Sequence, residues 1–218
     1  MDASDPLRHH PHVQNPDGHW YRRFAEIPGV GYEGDLRLRE RLAARNITPE
    51  VTRDVFGGRE AVSLMWPSRA GTTSASPVHQ LTFGTTAEES SENLRERILS
   101  ALELPGELSD YHFAIQGAAE ALWKKRREEP QHIAFAEWLY WWDVRLIEAH
   151  PHVVQIRPGE PEYFGVHAFD RIVGLYEREG FLHEALAAAE RFARFRPQLD
   201  TVSELRERVE RLREEEHA

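Results

Sequence analysis

Apolar residues recur along this chain at helical spacing from Ala87 onward, and before Ala87 the pattern is mixed. Leu94, Ile98 and Leu102 mark the first helical stretch. The period predicts helices over Ala87–Leu104, Asp110–Glu128, Gln131–His150, Glu162–Glu179, Leu182–Phe195 and Val202–Glu215. Pro105-Gly106, Pro130, Pro151, Pro158-Gly159, Gly180 and Pro197 supply the breaks. Helices joined by connections this short pack as antiparallel neighbours. Upstream, Trp20–Ile27 and Asp35–Arg45 read as short helices around a glycine turn. Thr48-Pro49 looks like a cap before a third helix, Pro49–Phe56, which Gly57-Gly58 ends. Ala61–Trp66 and Val78–Phe83 read as a pair of strands separated by the polar loop GTTSASP. Two strands alone are marginally stable, so a helix should cover them.

The stretch Ile133–Ala149 is apolar almost all round. Phe135, Trp138, Leu139, Trp142 and Leu146 share one face, and Ile133, Ala136, Tyr140, Val144 and Ile147 share another. A helix with two apolar faces is buried between layers, which places this one at the centre of a bundle. Its one polar stripe is Glu137, Trp141, Arg145 and Glu148. A tryptophan among charges is either covered by a neighbouring segment or anchors a partner protein, and Trp and Arg are enriched in such anchors. These four residues are therefore the candidate partner-binding set.

Further on, Phe169, Ile172, Val173 and Tyr176 form one stripe, and Leu182, Ala185, Leu186, Ala189 and Phe192 face it across Gly180. That pattern specifies a helical hairpin. Phe169, Ile172, Tyr176, Gly180, Ala185 and Pro197 also fall at the spacing of a tetratricopeptide repeat, which Val166–Pro197 resembles over about one repeat length of roughly 34 residues. The resemblance implies a stacked helical hairpin that binds another protein or peptide and carries out no chemistry. Two positions depart from the repeat: Ala189 and Phe192 exchange the expected sizes, and Gly174 stands one place after the expected small residue. Thr201 with Glu204 predicts a capping box for the last helix. Its narrow stripe of Val202, Leu205, Val209 and Leu212 would cover the hairpin's open side.

Gly29, Val30 and Gly31 begin a G-x-G-x-x-G pattern, but no strand precedes it as a dinucleotide site requires. The segment Ile27–Gly31 between two short helices also resembles a helix–hairpin–helix element. That resemblance implies that the amides of Gly29, Val30 and Gly31 contact a nucleic-acid phosphate. Glu33 and Asp35 stand where basic or small residues would suit phosphate. Nucleic-acid binding through Ile27–Gly34 is thus the minority alternative.

Composition narrows the choices further. The chain has 218 residues, 40% hydrophobic and 29% charged, with a net charge of −10. It is globular, and its charge argues against nonspecific attraction to nucleic acid or anionic membrane. With no cysteine, disulfides, thiol catalysis and cysteine-bound zinc are excluded. Histidine and carboxylate remain as metal ligands; His10, His12 and His19 in the N-terminal arm, with His9, are the weak candidates. No nucleophile elbow and no phosphate-cradling loop is present. We therefore expect a mainly α protein: an antiparallel helical bundle over residues 87–218 with a repeat-like C-terminal hairpin and capping helix. A small mixed part over residues 1–86 carries a β-hairpin. The expected function is a non-catalytic, cytoplasmic adaptor without cofactor or membrane span. Its partner would be another protein or a second copy of the chain, and a His/carboxylate metalloenzyme is the other alternative.

Overall fold

The computed structural model describes residues 49–56, 59–84, 88–157, 160, 162–195 and 200–216. Among the described residues a three-stranded antiparallel sheet comes first: β1 (Glu50–Phe56), β2 (Arg59–Ser68) and β3 (Gly71–Thr73), in that order. Seven helices follow among the described residues: α1 (Pro77–Thr82), α2 (Ser91–Ala101), α3 (Leu108–Lys124), α4 (Ile133–Ala149), α5 (His167–Glu179), α6 (Leu182–Phe192) and α7 (Thr201–Glu216). Short 3-10 turns at Pro130–His132 and Pro151–Val153 flank α4. Among the described residues no helix is long and apolar enough to cross a membrane.

The N-terminal part corrects two predicted elements. Glu50–Phe56 is a strand and not a helix, paired from Glu50↔Met65 to Phe56↔Arg59. Only Gly57-Gly58 separates the two strands, and two glycines between β-branched runs signal a hairpin more strongly than Pro49 signals a helix start. Val78–Phe83 is largely helical, as α1, and does not pair with β2. Ser76 caps it by accepting from the His79 N–H, and Pro77 supplies the preset first turn. The strand that pairs with β2 on that side is β3, drawn from the segment read as a loop, with Trp66↔Thr73 and Ser68↔Gly71 opposite one another. Along β2, Leu64 and Trp66 are buried while Ser63 and Pro67 are exposed, the alternation of a strand with one covered face.

The helices follow the predicted order with shifted ends. Ser90 caps α2 through the Asn93 N–H, so that helix starts four residues after Ala87. The Glu107 N–H donates to the Asp110 carboxylate at 2.9 Å, drawing the start of α3 back to Leu108. Residues 162–166 do not join α5, because Tyr163 bridges Gln155 and the Phe164 N–H donates to the Val154 carbonyl. Gly180 is left-handed at φ 83°. Its N–H bonds to the Glu177 carbonyl and that of Phe181 to Tyr176, the Schellman closure that its position in the sequence predicts. Thr201 is the first residue of α7 and not its cap, since the Glu204 N–H bonds to the Asp200 carbonyl.

One continuous core runs from Val78 on α1 through Leu94, Ile98, Ile115, Leu139 and Ile147 to Phe169, Phe192 and Leu205. It draws residues from either side of position 86. The central helix is α4, which packs on α3 along one side and on α5 along the other. Both apolar faces read from its sequence contribute to this core, Leu139, Trp142 and Leu146 from one and Tyr140, Val144 and Ile147 from the other. Ala114, Ala118, Ala119 and Ala136 are small enough to let α3 and α4 approach closely. The fold is the mainly helical one expected, with a small antiparallel sheet at its N-terminal end.

Candidate functional site

The four residues of the α4 polar stripe lie together at the seam with α5 and α6. The Trp141 Nε1–H donates to the Tyr176 hydroxyl at 2.9 Å, and that hydroxyl donates to Glu137 at 2.7 Å. Burial, with Glu137 second, raises the Tyr176 phenol above its ordinary value, so it keeps its proton. The Trp141 ring sits 5.9 Å from Phe192, with the Arg145 and Arg191 guanidinium groups 5.8 and 5.5 Å from its centre. Arg191 binds Glu148 through two parallel bonds of 2.5 Å. Every polar group of Trp141 is thus engaged by the chain's own helices. Trp141 joins α4 to the hairpin that follows.

Beside this seam, between α5, α6 and the start of α7, lies a pocket of about 320 Å³. Phe169, Val173 and Gly174 line one wall, Ala189 and Phe192 another, and Thr201 and Val202 close one end. Phe169 and Phe192 stack at 4.4 Å and form the apolar floor. This is where the departures from the repeat pattern fall. Phe192 reaches Phe169 and Trp141, and Gly174 leaves space where a side chain would stand: among the described residues a Cβ there meets nothing within 4 Å. Among the described residues the charged groups in the lining are Asp170 and Glu177, and Glu177 also takes a bond from Arg208 on α7. The pocket is apolar at its base and acidic at its rim, the form of a site for one large side chain.

A second arrangement escaped the sequence reading. His112 on α3 and Asp143 on α4 meet at 2.5 Å, Nδ1 to Oδ1, with both side chains 0% exposed. Burial raises the Asp143 carboxyl above its ordinary value, against the lowering effect of His112. His112 Nε2 and Asp143 Oδ2 have no hydrogen-bond partner among the described residues. Gly165 sits over the imidazole at φ 68°, and a Cβ there would stand 3.2 Å from Nε2. A carboxylate-oriented imidazole with a free nitrogen can act as a general base or metal ligand. Here no surface of either residue meets solvent, so the pair serves to fasten α3 to α4. Asp143 does carry a sequence signal: it falls outside the polar stripe of an otherwise apolar helix.

A third polar seam joins α3 to α5. Glu120 receives two bonds of 2.8 Å from Arg171 and one of 3.0 Å from the Tyr140 hydroxyl. Burial works to raise Glu120, but the bonds and charge of Arg171 outweigh it and hold the carboxyl below its ordinary range. Next to it, Arg126, Arg171 and Arg178 lie over the Trp123 ring at 4.9, 5.6 and 4.6 Å.

The other predicted sites, Gly29, Val30 and Gly31 for nucleic acid and His10, His12 and His19 for metal, lie outside the described residues, as do the helices Trp20–Ile27 and Asp35–Arg45. The chain matches no known protein family, no curated protein and no solved structure.

Proposed function

We propose that the protein is a non-catalytic adaptor that receives one large apolar side chain of a partner peptide in the pocket between α5, α6 and α7. Gly174 carries this reading. In a helix interior glycine costs about 1 kcal/mol relative to alanine, and no neighbour among the described residues requires its small size here. What its lack of a side chain accomplishes is an open pocket wall. The peptide-binding role that the tetratricopeptide-like spacing of Val166–Pro197 implies agrees with this. The partner segment should carry Lys or Arg beside its apolar anchor, because Asp170 and Glu177 are the charged groups among the described residues of the lining and the chain as a whole is acidic, at −10.

The test is to pan a random peptide library against the full chain and then measure the selected peptides on Gly174→Phe. This variant places a ring on the pocket wall at a position where the added Cβ meets no described residue within 4 Å. Enrichment of a single Leu, Phe or Met flanked by Lys or Arg is expected, with binding lost in Gly174→Phe and weakened by salt. Peptides that bind the variant as tightly as the parent chain would contradict the proposal.

A further inference from the structure

At the opposite end of the bundle, the corner between α3 and α4 carries three potential ligands that the adaptor role does not use. Pro130 turns the chain so that Glu129 and His132 face the same way, and the first turn of α2 brings Glu92 against them. His132 Nε2 lies 3.2 Å from a Glu92 carboxylate oxygen and 3.5 Å from Oε2 of Glu129. All three ligand atoms fall within 4.8 Å of one another. Nε2 is shut off from water and makes no hydrogen bond among the described residues. Around a tetrahedral ion with bonds of about 2.0–2.2 Å, adjacent ligand atoms stand about 3.3–3.6 Å apart. The two histidine–carboxylate separations are close to that edge length.

From this geometry we infer a metal site formed by Glu92, Glu129 and His132. One imidazole and two carboxylates suit a divalent first-row transition ion, such as Zn2+ or Mn2+, better than Mg2+ or Ca2+. The two oxygens of Glu129 divide their work: Oε1 faces the Lys125 ammonium at 3.8 Å, and Oε2 faces the site. Lys125 is tied down elsewhere, donating to the Glu89 carbonyl, so its charge screens one oxygen and leaves the other to the ion. Glu92 is 73% exposed on its side chain, while His132 is 12% exposed. The ion therefore enters along Glu92 and keeps its remaining positions for water. Its effect is to clamp the start of α2 onto the α3–α4 corner, two segments that the sequence holds far apart.

The chain has 12 histidines, so the experiment must separate this site from the N-terminal arm. Zn2+ is titrated calorimetrically into the full chain, into H132A and E92Q, and into a variant with His9, His10, His12 and His19 all changed to alanine. Co2+ absorption and the Zn2+-dependent rise in Tm are read on the same proteins. H132A should lose one equivalent, its Co2+ band and the Tm rise, because an ion bound only by the folded state stabilises it. E92Q, changed at an exposed position, should weaken that equivalent by at least about tenfold. The arm variant should retain it. Equal stoichiometry in H132A and the parent chain, loss of all Zn2+ in the arm variant, or no stoichiometric Zn2+ at all would overturn the site. In that last case the cluster is only a contact of His132 with its two carboxylates.

Discussion

The α3–α4 pair and the α5–α6 hairpin are both antiparallel helix pairs built on small residues and aromatics, yet they treat polar groups in opposite ways. Between α3 and α4 the side chains of His112 and Asp143 are sealed inside, with no hydrogen-bond partner for His112 Nε2 or Asp143 Oδ2 among the described residues. Around the hairpin the polar groups sit at the edge. Tyr176, Glu137 and Trp141 form a satisfied chain of bonds there, and the seam toward α7 stays open as a pocket. A closed seam makes its polar pair expensive to break and inaccessible to a partner. An open seam gives up packing and gains a surface that a partner can fill. On the proposed reading, the first region serves stability and the second recognition.

The largest effect should come from breaking the sealed pair. Asp143→Ala leaves a buried imidazole without its partner, and urea unfolding should show a loss of about 3–5 kcal/mol. Replacing both members by apolar residues should lose much less, because no orphaned polar group then remains. At the hairpin seam Trp141→Ala should cost about 3 kcal/mol through lost packing on Phe192. Tyr176→Phe should cost only about 1 kcal/mol, since it removes one hydroxyl from the chain of bonds. If Trp141→Ala were neutral in stability but abolished peptide binding, the stripe on α4, and not the pocket, would be the recognition surface.

A smaller effect should appear in the pH dependence of the α3–α5 seam. Glu120 is held below its ordinary range in the folded state by Arg171. A depressed carboxyl stabilises the fold above its unfolded value, near the ordinary 4.5, and loses that contribution as pH falls through the lower folded value. Glu120→Gln should therefore be less stable than the parent chain at neutral pH, with the gap closing in acid. Urea midpoints between neutral pH and pH 3 measure it. The smallest effect has the opposite sign: Gly174→Ala should raise stability by up to about 1 kcal/mol. A loss there would mean that α5 needs its glycine for packing, which would remove the functional reason for the pocket wall.

What could be read in the sequence was whatever local periodicity decides. The two-faced character of Ile133–Ala149 and the stop at Gly180 follow from spacing and from glycine's access to positive φ. The N-terminal elements went wrong where two local signals competed: Pro49 argued for a helix while Gly57-Gly58 argued for a hairpin, and pairing with Arg59–Met65 decided it. In Val78–Phe83 a β-like composition gave way to the Ser76 cap. The stripe Glu137, Trp141, Arg145 and Glu148 was visible as a group, but its partners Tyr176 and Arg191 are distant in sequence. The same holds for His112 with Asp143, separated by 31 positions, and for Glu92 with His132. Helical period places a residue on a face without naming what lies opposite. Gly174 was legible only as a departure from a repeat pattern, and the open space beside it gives that departure a physical meaning.

The most direct test of the central claim is to map a selected peptide onto the full chain by methyl NMR. The account predicts that the resonances of Val173, Ala189 and Val202 shift on titration while those of Ala118 and Val144, inside the sealed seam, do not, and that Gly174→Phe abolishes the shifts. Perturbation of the α3–α4 residues with the pocket methyls unmoved would contradict it.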